Sequence, residues 1–214
     1  FSYKGGIWGS AWVGLNNFYE FFSDGEFLRA LRNTVIFSLG KLALQFPTAI
    51  ILALALNELR HARIKKLYQT VFTFPHFISW VVMAGILKNM FASNGVINQL
   101  LTVWGMDAIS PLLSKTGFRP FIWFSNIWKE AGWDTIIYMA ALAGIDPGLY
   151  EAAEIDGANR WRKIWHITLP GIRSTILIML ILEIGRIMTT GASFDQVFNL
   201  YSSPVYEVAD TIDT

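Results

Sequence analysis

Residues 151–170 read EAAEIDGANRWRKIWHITLP, from Glu151 to Pro170, a polar stretch set between two long apolar segments. Just upstream, Asp146 is suited to cap free backbone N–H groups and Pro147 suits a first helical position, so a helix starts there. Gly157 supplies its stop, because glycine tolerates the left-handed conformation in which many helices end. A second helix follows with Trp161, Ile164, Trp165 and Thr168 on one largely apolar stripe, until Leu169-Pro170 turns the chain back toward hydrocarbon. The pattern predicts a helical hairpin over 145–170. Small Ala152 and Ala153 permit close approach of another helix, and Glu151 offers an acceptor to a basic partner.

The rest of the chain sets this hairpin in a bilayer. Apolar residues make up 53% of the 214 and charged residues only 15%. Mean hydropathy is +0.41, which is a membrane composition. A net charge of +1 with no long basic tract argues against nucleic acid. The absence of Cys excludes disulfides and thiolate metal sites. Phe1 opens the chain without a basic, apolar and cleavage-site series, so no signal peptide is visible. With no repeat, low-complexity tract or long linker, residues 1–214 read as one domain.

Four segments are long and apolar enough to cross about 30 Å of hydrocarbon, which takes roughly 20 helical residues: 33–56, 67–90, 120–143 and 171–190. They are apolar nearly all round, as lipid-facing helices are. Loop charge orients them. The turn 57–66 carries Arg60, Arg63, Lys65 and Lys66, whereas 194–214 has no Lys or Arg but holds Asp195, Glu207, Asp210 and Asp213. By the positive-inside rule the first is cytoplasmic and the second external. Alternation puts 145–170, with Arg160, Arg162 and Lys163, in the cytoplasm, and 91–119 outside. Arg29 and Arg32 run against the rule at the outer end of the first span. The aromatics Phe1, Tyr3, Trp8, Trp12, Phe18, Tyr19, Phe21 and Phe22 predict a segment along the membrane interface, and Val96 to Trp104 a short interfacial helix.

Within the hairpin, Glu151-Ala152-Ala153, Gly157, Ile167, Leu169 and Pro170 fall at fixed spacing. This pattern resembles the EAA loop of ABC-importer permeases, and seven positions over twenty residues are far more specific than a single short motif. The runs at Gly9–Phe18, Phe74–Trp80, Ala143–Pro147 and Asp210–Thr214 are similar to the polysaccharide and oligosaccharide branch, with its LplB-type and alginate-transporter membrane subunits. The resemblance covers almost the whole chain. It implies an all-α polytopic permease of the MetI-like type, contributing four membrane helices to a six-helix core whose first and last helices lie beyond this piece. It further implies a coupling helix docking on a cytoplasmic ATPase in an inner (plasma) membrane. Its partners would be a second related permease in a heterodimer, two ATPase subunits and an extracytoplasmic sugar-binding protein.

No Gly-x4-Gly-Lys-Ser/Thr loop occurs: Gly40-Lys41 is followed by Leu42 and lacks the upstream glycine. ATP and Mg would therefore be bound by the partner ATPase subunits, with no cofactor in this chain. Neither His-Glu-x-x-His nor Gly-x-Ser-x-Gly is present, so the chain reads as a transport subunit rather than an enzyme. A competing reading is an ion-coupled secondary transporter using Asp134 or Glu183, whose uptake would collapse with an uncoupler and persist without ATP.

Ionisable groups at membrane depth are costly and commonly line an aqueous path. Lys41 and Gln45 are i, i+4 neighbours; Lys129, Glu130 and Asp134 cluster with Trp133; Glu183 and Arg186 stand at i, i+3. Each set is either a pathway or an interhelical structural pairing. For a sugar path, Trp133 could stack on a pyranose face while Asp134 bonds its hydroxyls. His76 follows Pro75 and is either a pathway ligand or bonded to the carbonyl that the proline frees.

Overall fold

The computed structural model describes residues 14–186 and 194–212, and these form helices joined by turns, with no strand among them. Phe1, Tyr3, Trp8, Trp12, residues 187–190, Asp213 and Thr214 lie outside the described residues. Helix α1 (Asn16–Ser23) leaves Phe18, Tyr19, Phe21 and Phe22 exposed, as an interfacial aromatic segment would.

Asp24 opens α2 (Gly25–Asn57), its carboxylate accepting from Glu26 N at 2.9 Å. At 1.5 Å per residue this helix is about 50 Å long and starts well before the predicted 33–56. Its extra turns pack against protein: Ala30 is buried, and the Arg29 guanidinium donates to Asp210 Oδ2 at 3.2 Å. That pairing also accounts for a cation at the outer end of the span.

The second predicted span is two helices. Helix α3 (Ala62–Thr73) runs into a 3₁₀ turn at Phe74–Phe77, then Ile78 and Ser79 adopt extended backbone, and α4 (Trp80–Met90) leaves at 101°. Pro75 supplies no N–H to an α-helix, and Ser79 caps a new one by accepting from Val82 N at 3.3 Å. The predicted interfacial helix is α5 (Val96–Val103). Helix α6 (Lys115–Ala143) begins five residues before the predicted start at Pro120 because Ser114 caps it, accepting from Gly117 N.

After the hairpin, which comprises α7 (Pro147–Ile155), α8 (Arg160–Lys163) and α9 (Leu169–Gly171), α10 (Arg173–Gly185) departs with a 61° bend. The tail forms α11 (Phe194–Leu200), a 3₁₀ turn and α12 (Tyr206–Ala209).

Among the described residues α2 alone is both long and apolar enough to cross a membrane, and the two bent pairs raise this to three if each is one span. Of the expected segments 33–56, 67–90, 120–143 and 171–190, the second is therefore broken rather than continuous. Helix α6 has the length, but Lys129, Glu130 and Asp134 interrupt its hydrocarbon character, and it is the central helix. It packs against α2, α3, α10 and α12, so much of its surface meets protein rather than lipid.

Two apolar clusters hold the bundle. One gathers Phe37, Met83, Leu87, Phe118, Ile122, Val197, Leu200 and Val205; the other gathers Ala49, Ala53, Tyr138, Leu142 and Ile172. The tail folds onto the outer cluster, where Ser202 Oγ donates to Leu112 O at 2.9 Å and Lys115 pairs with Glu207 at 2.5 Å. The 91–119 loop and the tail thus share one end, as alternation predicts.

Candidate functional site

Beside the second cluster, with Ala49 and Tyr138 in its wall, lies a cavity of about 480 Å³. Its walls come from α2 (Ser38, Lys41, Gln45, Phe46, Ala49), the broken segment (His76), α6 (Asn126, Glu130, Trp133, Asp134, Tyr138) and α10 with Arg186 beyond it (Met179, Glu183). Helical spacing of three and four residues brings these positions onto facing stripes of α2 and α6.

Of the predicted path residues, Lys129 alone does not line the cavity. Its ammonium is buried just behind the wall, donates to Glu130 Oε1 and to His76 O, each at 2.8 Å, and lies 5.3 Å from the Trp80 ring centroid. Gln45 donates to Asp134 Oδ2 and accepts from Asn126 Nδ2. Arg186 reaches Glu183 Oε1 at 3.4 Å. Each cavity carboxylate therefore holds a donor from the protein, which lowers the cost of placing it away from bulk water.

The His76 imidazole does not turn to a carbonyl freed by Pro75. Its Nδ1 lies 2.6 Å from Glu130 Oε2, and its ring stacks on Trp133 with centroids 4.4 Å apart and planes 6° from parallel. The carbonyl of His76 itself is the one that Lys129 takes.

Asn126, Ser38 and Tyr138 were missed. Asn126 stands one turn before Glu130 on the same stripe of α6, so the signal was present. The outer network had none. Asn33, buried, donates to Asp210 O at 2.8 Å and Glu207 O at 3.0 Å and accepts from Arg119 Nη2 at 2.7 Å, contacts that span the chain.

At the opposite end the hairpin forms as its caps predict. Asp146 Oδ1 accepts from Gly148 N at 2.9 Å. Gly157 sits at φ +73°, with Ala158 N bonded to Ala153 O at 2.8 Å and Gly157 N to Glu154 O at 3.0 Å, a Schellman closure. The second arm departs from expectation. A π turn at Ile164–Thr168 interrupts it, and Trp161 and Trp165 are 70% and 64% exposed while Thr168 is buried, so the four do not form one packed stripe. Glu151, Ala152, Gly157 and Pro170 face solvent; Ala153, Ile167 and Leu169 are half-buried. Lys163, hydrogen-bonded to Glu154 at 2.5 Å, holds that carboxyl below its usual range, and Arg60 adds to the effect.

The class these features define is an all-helical protein with a long apolar helix, a cavity walled by charged and amide side chains, and a capped hairpin. The chain belongs to the family described as "Binding-protein-dependent transport system inner membrane component", which matches residues 31–205. It is 45% identical over 210 residues to the polygalacturonan/rhamnogalacturonan transport system permease protein YteP of Bacillus subtilis (strain 168), covering 98% of this chain and 65% of the relative. To protein LplB of the same organism it is 46% identical over 210 residues, with the same coverages. The chain thus spans 65% of these relatives' length. Its fold is that of a bacterial alginate ABC transporter crystallised with an alginate pentasaccharide-bound periplasmic protein, at TM-score 0.89, 42% identity, and coverage of 94% of this chain and 69% of that one. The MetI-like architecture expected from the hairpin is therefore the observed one.

Proposed function

We propose that the chain is the multi-pass permease subunit of a binding-protein-dependent importer, forming half of a translocation path for oligosaccharides of an acidic polysaccharide. The observation that carries this reading is the 480 Å³ cavity, which pairs charged and amide side chains with the Trp133 ring. A sugar ring can stack on the indole while its hydroxyls and carboxylates exchange hydrogen bonds with Lys41, Gln45, Glu130, Asp134 and Arg186. The named cargoes of YteP and of the alginate transporter are uronate polymers, which favours acidic over neutral saccharides. The partners would be a second permease, two ATPase subunits that bind ATP and Mg, and an extracytoplasmic binding protein. In the assembled complex with its binding protein, galacturonate or guluronate oligosaccharides should stimulate ATP hydrolysis several-fold over neutral ones of equal length. Stimulation by neutral chains alone would overturn the acidic assignment.

The hairpin is the ATPase-docking element in this reading. Exposed Glu151, Ala152 and Ile155, the last 89% exposed, offer an acidic and apolar face at the tip of a capped helix. Glu151→Lys replaces an acceptor by a like charge for a basic partner and should cut ATPase co-purification roughly fivefold, about 1 kcal/mol. Equal recovery with the charge reversed would remove the ion pair from the account.

A further inference from the structure

The hairpin's two arms are tied at three levels, nearly symmetric about the turn at Gly157. At the root, Gly171 abuts Ile145, and a Cβ added there would lie 2.9 Å from Ile145 Cδ1. Midway, the Tyr150 and Thr168 hydroxyls lie 3.0 Å apart. Near the tip, Lys163 pairs with Glu154. These ties are unequal. The Glu154 side chain is 72% exposed, and such surface pairs contribute little. Packing at the root resists approach of the arms but not their sliding. The hydroxyl pair is directional and Thr168 is buried, so of the three ties it is the one best placed to fix the register of one arm against the other.

Thr168 also connects to the interior. Its carbonyl accepts from Ile172 N at 3.2 Å, and Ile172 sits in the inner cluster with Tyr138 and Leu142 at the start of α10. That helix carries Glu183 to the cavity wall. A displacement of α7 at Glu151 reaches α6 directly through 144–146, but it reaches α10 and Glu183 only through the second arm, and Tyr150 gives it a hydrogen-bonded crossing there.

We propose that the Tyr150–Thr168 hydroxyl pair is a positioning contact that makes the hairpin one lever, delivering movement of α7 to α10. This rests on the coupling role given to the hairpin above. Tyr150→Phe breaks the tie cleanly, because Thr168 Oγ1 keeps its second bond, to Lys163 O at 3.3 Å. Thr168→Val breaks it from the other side, and Thr168→Ser preserves it.

The test is the number of ATP hydrolysed per oligosaccharide imported by the assembled complex in proteoliposomes, with subunit recovery measured alongside. Tyr150→Phe and Thr168→Val should each raise this ratio about threefold, the scale of one neutral hydrogen bond, while Thr168→Ser stays near the parent. The double variant should be no worse than either single one. A parental ratio in both single variants, or additive effects in the double, overturns the lever. If Gly157→Val lowers uptake in that same case, docking stands and only the tie is wrong; if it too leaves uptake unchanged, the coupling role itself falls.

Discussion

Gly157→Val is expected to reach the membrane in parental amount and lose about tenfold in uptake, with ATP hydrolysis no longer stimulated by loaded binding protein. Space is not the cause, since a Cβ added at Gly157 meets nothing within 4 Å. Backbone conformation is. The residue stands at φ +73°, where an ordinary side chain costs roughly 1–2 kcal/mol and a β-branched one more. That cost is of the order of a tenfold shift away from the native turn. Relaxing to negative φ would break the bond from Ala158 N to Ala153 O and turn Arg160–Lys163 away from α7. Gly157→Asn separates this cause from others, because asparagine tolerates the left-handed region. Uptake of labelled oligosaccharide, normalised to membrane-inserted chain, should rank Gly, then Asn, then Val. Parental uptake by the valine variant would falsify the account of the turn.

The legibility of the sequence follows how local each signal is. Asp146, Pro147 and Gly157 act within a few residues of themselves, so the first arm of the hairpin could be read directly. Polar groups in apolar segments are conspicuous, and Lys41, Gln45, Glu130, Asp134 and Glu183 do converge on one cavity. Their partners were less legible. Gln45 bridges Asn126 and Asp134 across helices, and His76 chose Glu130 because the break after Pro75 turns its ring toward α6 rather than along its own helix.

The break itself escaped because hydropathy averaged over 67–90 carries no direction. Pro75 and Ser79 together state a stop and a new cap within that apolar window. The π turn at Ile164–Thr168 has no such local cue. It is bridged by Thr168 Oγ1 reaching back to Lys163 O, and threonine is common enough elsewhere to predict nothing alone.

The second large effect is expected where α3 crosses α6. Gly132→Leu should abolish recovery of folded chain, and Gly132→Ala should already reduce it severalfold. A Cβ at Gly132 would stand 2.0 Å from the Phe72 carbonyl oxygen and 2.8 Å from Thr73 N. Both are backbone atoms in α3, so relief requires moving a helix rather than a side chain. Thr73 Oγ1 also donates to Gly132 O at 3.3 Å across this contact, and separation would lose that bond. Overpacking of this kind typically costs about 1–3 kcal/mol and more where backbone must shift. The consequence reaches the cavity, because α3 leads directly into His76, and any outward shift of α3 pulls the imidazole from Glu130 and Trp133. Gly85 provides the internal control. It also lies inside a helix, yet a Cβ there meets nothing within 4 Å, so Gly85→Ala should keep or slightly raise stability through helix propensity. Thermal midpoints in detergent, measured on both alanine variants, decide the matter: if Gly132→Ala melts together with Gly85→Ala, the two helices do not touch there, and His76 is held in place by something other than the crossing.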